Sequence, residues 1–476
     1  METTFVIQKT QKKQKLSEKE DISGNIKSLG SLPEEVLRHI LSFLPTKDAV
    51  RTSVLSKRWE FLWVSIPNLS FERYTSDKSK FVETELLMNF VDRALCLRDS
   101  SVIKRFALSC DVLFDHEASR VYTCISTAVN HNVQELNIDI DIRGFDVVFS
   151  LPSCLFTCKT LTSLYLNMWA RKLNLPTTIC FSNLKILTIE YLTFSNEYLT
   201  QQLFSSLPVL EELKLEDCSW GDLKFVTISA PKLHSLSIFK MGMQDGDIQR
   251  SGDLCLVTIV GDSLKEFYYK GLMFAEYCLY NSFSVEKAEI VTKPEYDRKP
   301  TNIARFLWNL LIGLSGVELL RLSSDMVKVL SDSPEFLPHM PMFNNLIDLI
   351  IVDYRVDLDC TVLLKILQKS PCLQTLSFSE GISLSLNRKE DDMILDPVPL
   401  CFLSHLKWIN IGTYFGLEEE LLAVKILLKN AVVLDKINIT CPASYDKNFD
   451  RQVKVLTQLL ELPRTSQNCK IRALTV

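Results

Sequence analysis

Residues 206–215 read SLPVLEELKL: a proline, then a leucine, then two more leucines at the third and fifth places after it. The same L-x-x-L-x-L frame stands in LTSLYL (161–166), LKILTI (184–189) and LHSLSI (233–238). It returns in VELLRL (317–322), LIDLII (346–351), LQTLSF (373–378), LKWINI (406–411) and LDKINI (434–439). Looser copies begin at Ile103, Val133, Leu264 and Val285. In an extended chain successive side chains point to opposite faces. The leucines of each copy therefore enter a core while the residues between them line the other face. One such unit cannot bury its apolar side, but a stack of neighbours can.

The thirteen starts run from residue 103 to residue 434 at an average spacing of about 28, inside the ~20–29 residue range of leucine-rich repeats. The expected fold is therefore α/β: a leucine-rich-repeat solenoid, a parallel-strand horseshoe whose thirteen strands span roughly 60 Å of arc at ~4.8 Å each. The lead-ins SLPVLEEL, SAPKLHSL and KSPCLQTL place a proline where a preceding helix must stop. Three stretches interrupt the repeats and read as exposed loops: 241–253, 292–302 and 385–399.

The open strand face is where a solenoid binds partners. Counting forward from each start places Glu135, Asp139, Tyr165, Glu190, Glu212, Glu216, Phe239, Glu266, Tyr268 and Trp408 there. Acidic residues with single aromatics suit a basic or polar partner anchored by aromatic side chains. Of these, Tyr165, Glu190, Glu212, Glu216, Phe239, Tyr268 and Trp408 are the candidate target-binding residues. The same pattern also describes a merely solvated sheet face.

Composition is that of an ordinary globular chain, 47% hydrophobic and 23% charged, with a net charge of −5 that argues against nucleic acid as a partner. No apolar run reaches 18 residues, so no membrane span is expected, and residues 1–30 lack the apolar segment of a secretory signal. The stretch ARFLWNLLIGLSGVELLRL (304–322) reads as a helix followed by a strand. The 14 cysteines show no C-x-x-C and no zinc spacing. They read as reduced, buried small hydrophobes, Cys110, Cys154 and Cys180 among them. Phosphate-binding, metalloprotease and serine-hydrolase motifs are missing, and the six histidines have no nucleophile in register. No catalytic residue, metal or cofactor is expected. Lys12, Lys13 and Lys15 lie in a basic N-terminal tail (1–27), read as disordered and solvated, with a weak nuclear signal as the alternative. An intracellular protein of nucleus or cytoplasm is expected.

Ahead of the repeats, SLPEEVLRHILSFLPTKDAVRTSVLSKRW (31–59) packs three helical patterns into 29 residues. Ser31 and Glu34 form a capping box, and Pro33 fits the first turn. Val36, Leu37, Ile40, Leu41 and Leu44 follow helical spacing up to Pro45. Thr46 is placed to cap a second helix with Ala49, Val50 and Val54, and Ser56 a third with Trp59, Leu62 and Trp63. So short a unit buries too little to stand alone. Its apolar surplus must pack on the repeats and on another protein, which makes it an interaction module.

Residues 32–63, LPEEVLRHILSFLPTKDAVRTSVLSKRWEFLW, closely resemble an F-box of the kind found in plant F-box proteins. The match departs from the common pattern just upstream, at Gly30. The resemblance implies docking on the Skp-type adaptor of a cullin–RING ubiquitin ligase. Leu32 and Pro33 would sit in the contact, with Leu37, Ile40, Leu41, Leu44 and Pro45 beside them. Val50, Val54, Leu55 and Trp59 would divide between the unit's core and the interface. The C-terminal stretches 400–441 and 459–476 resemble the FBD domain. They read as strand, helix Glu418–Asn430, strand, a helix near 450–460 and a final strand 469–476 that together cap the solenoid.

The expected organisation is a tail (1–27), F-box (28–70), leucine-rich repeats (71–395) and FBD domain (396–476). The resemblance implies a non-catalytic substrate-recognition subunit of a Skp–cullin–F-box ligase that brings an unknown target protein to the ligase by proximity. Two rivals remain: a scaffold that promotes no degradation, and a small-molecule co-receptor with a cavity near Tyr268 or Trp408.

Overall fold

The computed structural model describes residues 32–72, 80–99, 101–143, 147, 149–172, 174–241, 255–273, 275–293, 300–384, 395–442 and 457–475. Every one of the thirteen starts leads, two residues on, into a strand of one sheet. Among the described residues that sheet has fifteen strands, and each neighbouring pair is parallel. The alternation is plain in Glu135–Ile142, where Leu136, Ile138, Ile140 and Ile142 are buried and Glu135, Asn137, Asp139 and Asp141 face outward. Leucines of successive copies lie side by side: Leu164 pairs with Leu187, Leu187 with Leu213 and Leu213 with Leu236. The lead-in prolines Pro208, Pro231 and Pro371 each open a turn just before a strand.

The two additional strands are the edges. Lys470–Thr475 is the expected final strand, and its Lys470 and Arg472 put charge on an otherwise open edge. Asn68–Phe71 starts the sheet and was not among the thirteen. Its frame, IPNLSF from Ile66, buries Ile66, Leu69 and Phe71 at the three leucine positions.

Helices return the chain across the back of the sheet over Asp115–Asn130, Glu197–Ser205, Pro300–Gly313, Ser324–Ser331, Thr361–Gln368, Leu400–Ser404 and Glu418–Asn430. In the middle they give way to strands. Phe225–Ser229, Cys255–Val260 and Ala275–Tyr280 form a second, three-stranded parallel sheet. These segments bury every second residue (Val226, Ile228; Cys255, Val257, Ile259; Ala275, Tyr277, Leu279), a period of two that no helix satisfies. One continuous core between the layers runs from Leu37 to Cys469.

Two helices share an unusual start. Glu117 and Glu420 are buried, and each folds back to accept two backbone N–H groups. Glu117 Oε2 takes Leu113 N (2.7 Å) and Phe114 N (3.2 Å). Glu420 Oε2 takes Phe415 N (2.9 Å) and Leu417 N (3.0 Å). Helix ends leave such donors without intrahelical partners, and a glutamate in the third position satisfies them.

The N-terminal unit has helices at Glu34–Leu41 and Thr46–Arg51 and 3-10 turns at Thr52–Val54 and Leu62–Ser65, so the expected third helix is only a turn. Ser31 of the expected capping box lies outside the described residues. The two helices start after Pro33 and Pro45, neither with a side-chain cap. Thr46 is instead buried, its Oγ1 accepting the Ser70 N–H at 2.8 Å. Asn68 Nδ2 donates to the Ser42 carbonyl at 3.2 Å. The unit is thereby joined to the first strand, and Leu37, Leu41, Ala49, Trp59, Leu62, Trp63 and Ile66 extend the core of the sheet.

At the far end the Glu418–Asn430 helix stands where expected. Of the helix expected near 450–460, residues 457–461 are described and helical, with Leu459 buried. The rest lies outside the described residues, as do 242–253 of the first expected loop, 294–299 of the second, 385–394 of the third and the basic tail. Among the described residues no helix is long and apolar enough to cross a membrane. All 14 cysteines are free, and Cys110 is buried as expected, but Cys180 is exposed and Cys154 half-buried. Cys180 precedes the buried Phe181 on a non-strand segment, where neighbours in sequence need not share a side.

Candidate functional site

Two surfaces stand out. The first is the N-terminal unit. Its helix Glu34–Leu41 packs on the Leu62–Ser65 turn, which leaves a large apolar surplus outside. Val36 is 41% exposed, Phe43 74%, Val54 88%, Leu55 65% and Phe61 69%. Pro33, Leu44 and Pro45 are exposed as well, and Leu32, Ile40 and Val50 are half-buried. Three of the expected adaptor residues are not available. Leu37 and Leu41 are fully buried and Trp59 nearly so, because they close the unit's own core against Leu62, Trp63 and Ile66. Val36, Phe43 and Phe61 were not among the expected contacts. The signal that finds them is apolar character off the buried helical stripe, where a solvated helix carries polar groups. Arg58 donates to the Leu32 carbonyl and holds the start of the unit against its end.

The second surface is the open face of the sheet, with three rows of outward residues fixed by the parallel register. The middle row runs Asn137, Tyr165, Thr188, Lys214, Ser237, Tyr268, Glu289 and Arg321. The next row carries Asp139, Asn167, Glu190, Glu216 and Phe239.

Four of the seven candidate residues meet around Lys214. Tyr165 Oη donates to Glu190 Oε2 at 2.8 Å. Lys214 Nζ lies 2.6 Å from Glu216 Oε2 and 3.6 Å from Glu190 Oε1, and 5.5 Å from the centre of the Phe239 ring. Burial and the hydrogen bond to Glu190 push the Tyr165 phenol well above its usual range. Burial works against the Lys214 ammonium, yet the bond to Glu216 and the charges of Glu216 and Glu190 hold it above its ordinary value. The result is a compact polar floor with one aromatic wall.

The other three are spread out. Tyr268 lies two strands beyond Lys214, its phenol raised by burial and then by Glu266. Glu212 is exposed in the outer row at the start of its strand. Trp408 is nine strands from the Tyr165 strand, roughly 43 Å along the sheet. Its neighbourhood differs in kind: Asn410 donates to Ser377 (2.9 Å), Asn438 donates to Asn410 (2.7 Å), and Lys436 and Arg472 lie beside them. An open depression of about 410 Å³ is lined there by Ser377, Asn410, Lys436 and Asn438 together with Ile411 and Leu474. A cavity beside Phe239, reaching Trp220 and Tyr277, is about 30 Å³ and has room for a water molecule only. Among the described residues no group of histidine, cysteine and carboxylate side chains is placed to hold a metal.

Three family models match the chain. They are the F-box domain over 29–71, the LRR repeats of FBD-associated F-box protein At5g56370 over 121–265, and FBD over 396–439. The F-box match thus ends on the last residue of the first strand, Phe71. F-box/FBD/LRR-repeat protein At1g78750 of Arabidopsis thaliana is 27% identical over 94% of this chain and 96% of its own length. F-box/LRR-repeat protein 13 of the same plant is 28% identical over 94% and 96%. F-box protein At3g59000, also from Arabidopsis thaliana, is 35% identical over 68% of this chain and 67% of its own length.

Proposed function

Since the chain belongs to the F-box/FBD/LRR-repeat family, we propose that it is a non-catalytic substrate-recognition subunit of a Skp–cullin–F-box ubiquitin ligase. In this reading the N-terminal unit docks on the Skp-type adaptor, and the open strand face holds the target protein. Ubiquitin is transferred by other subunits, and this chain contributes proximity alone: an acceptor lysine held near the ligase reacts at high effective concentration.

The observation that carries the reading is the exposed apolar set Phe43, Leu44, Val54, Leu55 and Phe61 on a unit whose own core is already closed. Apolar surface left outside a finished core marks a partner's place. The contact residues are then Leu32, Pro33, Leu44, Pro45 and Leu55 with Phe43, Val54 and Phe61. Leu37, Leu41 and Trp59 support them from beneath.

A pull-down with a purified Skp-type adaptor tests this. Wild-type chain is expected to be retained, and both Leu32→Ala with Pro33→Ala and Val54→Asp to lose retention while keeping the wild-type melting curve. Equal recovery of all three removes adaptor docking. Docking without ligase-dependent turnover of any bound protein leaves a scaffold. A small-molecule co-receptor has one observation in its favour, the depression lined by Ser377, Asn410, Lys436 and Asn438. It requires a ligand-induced thermal shift that Asn410→Leu abolishes.

A further inference from the structure

We propose that the strand face carries a seat for an arginine side chain of a bound protein segment, built from the stacked rings of Trp169 and Tyr191 and the carboxylates beside them. The proposal deepens the target-contact reading above and rests on it.

The seat begins with a fault in the sheet. Strand Ser163–Lys172 pairs with Ile186–Thr193 in register as far as Asn167 and Glu190, slips, and resumes at Arg171 and Leu192. Trp169 stands inside the slip. A bulge turns a side chain away from the direction the pleat would give it. Trp169 and Tyr191 both have left-handed backbones, φ 38° and 50°. At the ends of other strands of the sheet Asp217, Gly271, Asp353 and Thr413 take that conformation. Large aromatic side chains are poorly suited to it. Two of them holding it in adjacent repeats is local strain of the sort that accompanies a binding surface.

The rings lie 4.6 Å apart at 8°, and Trp169 is 44% exposed, so the indole has an open side. Asn167 holds the backbone of the slip, its Oδ1 accepting the Trp169 main-chain N–H at 3.3 Å. Burial, then the charges of Asp217, Glu216 and Glu190, push the Tyr191 phenol above its usual range. Asp217 Oδ1 also accepts the Met241 N–H at 2.9 Å. On the other flank Asp139 accepts from Ser109 at 2.9 Å. Around the rings stand the carboxylates of Asp139, Glu190, Glu216 and Asp217, against the ammonium groups of Lys214, Lys240 and, at the exposed end of the Trp169 strand, Lys172.

An indole face carries negative quadrupole potential, and the carboxylates beside it add negative charge, so the occupant is a cation. Arginine suits the geometry better than lysine. Its planar guanidinium lies flat on the indole while its edge N–H groups reach carboxylates, a stacked and bidentate fit that the compact, strongly hydrated ammonium lacks.

The test uses the full chain labelled with 5-fluorotryptophan, whose six tryptophans are followed by fluorine NMR, with the Trp169 signal assigned by Trp169→Phe. The probe is a capped Gly-Ser-Arg-Ser-Gly peptide, compared with peptides carrying citrulline, lysine or glutamate in place of arginine. The arginine peptide is expected to shift the Trp169 signal in the millimolar range. Citrulline should weaken binding about threefold or more, lysine should bind more weakly than arginine, and glutamate should not bind. Glu216→Gln should weaken the arginine peptide while leaving the other tryptophan signals in place. Equal binding of arginine and citrulline peptides, preference for glutamate, or movement of another tryptophan with Trp169 still would each overturn the seat. Adaptor retention is measured on the same samples. Retention with no arginine binding removes the seat alone, and arginine binding without retention removes the ligase reading instead.

Discussion

Replacing Glu420 with alanine should loosen one end of the solenoid and leave the other intact. Glu420 is fully buried, accepts the Phe415 and Leu417 N–H groups at 2.9 and 3.0 Å, and meets Arg355 Nη2 at 2.9 Å. Arg355 comes from the loop after the strand Asp348–Val352, so the contact ties the Glu418–Asn430 helix to an earlier repeat. Hydrogen bonds to a charged acceptor contribute about 1.5–3 kcal/mol each, and the contact with Arg355, which is partly exposed, adds less than the ~3–5 kcal/mol of a fully buried ion pair. Arg355 keeps a second partner, Glu419 at 2.9 Å, and is not orphaned. The expected loss is therefore at the lower end, about 3 kcal/mol. Glu420→Gln retains an acceptor without the charge and should lose about half of that.

Because a solenoid's repeats contact mainly their neighbours, the effect belongs to local stability rather than a single unfolding midpoint. Amide hydrogen exchange reads it directly. Protection across Glu418–Asn430 should fall on the order of 100-fold in Glu420→Ala, with the Asp115–Asn130 helix unchanged. A fall of less than tenfold, or an equal fall at Asp115–Asn130, would refute the reasoning.

Burial holds the thiols of Cys124, Cys218, Cys255 and Cys401 at about 12. Native chain at pH 8 should alkylate at exposed Cys96 and Cys180 first, with buried Cys124, Cys255 and Cys401 reacting only on unfolding, as peptide mapping will show. A raised folded pKa means the native state keeps its proton longer than the unfolded chain. Stability from these thiols is thus intact below pH ~9 and declines between ~9 and 12, by about 1.4 kcal/mol per pH unit for each. Leu41→Ala, in the closed core, should cost about 2–5 kcal/mol, whereas exposed Leu55→Ala should change stability by less than about 0.5 kcal/mol and act on adaptor retention alone. Gly271 has φ +117° and an added Cβ would meet the Lys240 carbonyl at 1.9 Å. Gly271→Ala should therefore lower the melting temperature sharply, by the equivalent of about 3 kcal/mol or more.

The sheet was legible because its rule is local and repeated. Each L-x-x-L-x-L copy states its own inward and outward residues, and the outward rows followed as soon as the copies were aligned. The first strand escaped because IPNLSF follows directly on the helical unit, at the end of the segment 28–70 assigned to it, and its frame carries a proline that the other copies lack. The second sheet escaped for a different reason. FVTIS and AEYCLY are too short for period two to stand out against their surroundings, and only lateral pairing makes them strands.

The helical unit divides along the same line. Its sequence determined where two helices begin, at Pro33 and Pro45, and that the apolar content exceeds what so small a body can bury, while the third helix it suggested is only a turn. It could not say which apolar residues are the surplus, because Leu41 and Leu44, or Trp59 and Phe61, are equally apolar neighbours on a short helix or turn. Only packing on Leu62, Trp63 and Ile66, and the tie from Thr46 to Ser70, put Leu37, Leu41 and Trp59 inside and left Phe43, Val54 and Phe61 out.

The strand face shows the limit most sharply. That Tyr165, Glu190, Glu216 and Phe239 point outward is written in each repeat by itself. That they converge on Lys214, while Trp408 stands at the other end of the sheet, depends on which strands are neighbours. The Trp169 bulge is decided the same way, by how one strand end fits the next. A repeat encodes which side each residue faces through the pleat of its own backbone. Lateral neighbours come from chain segments some 25 residues apart, and stacking alone brings them together.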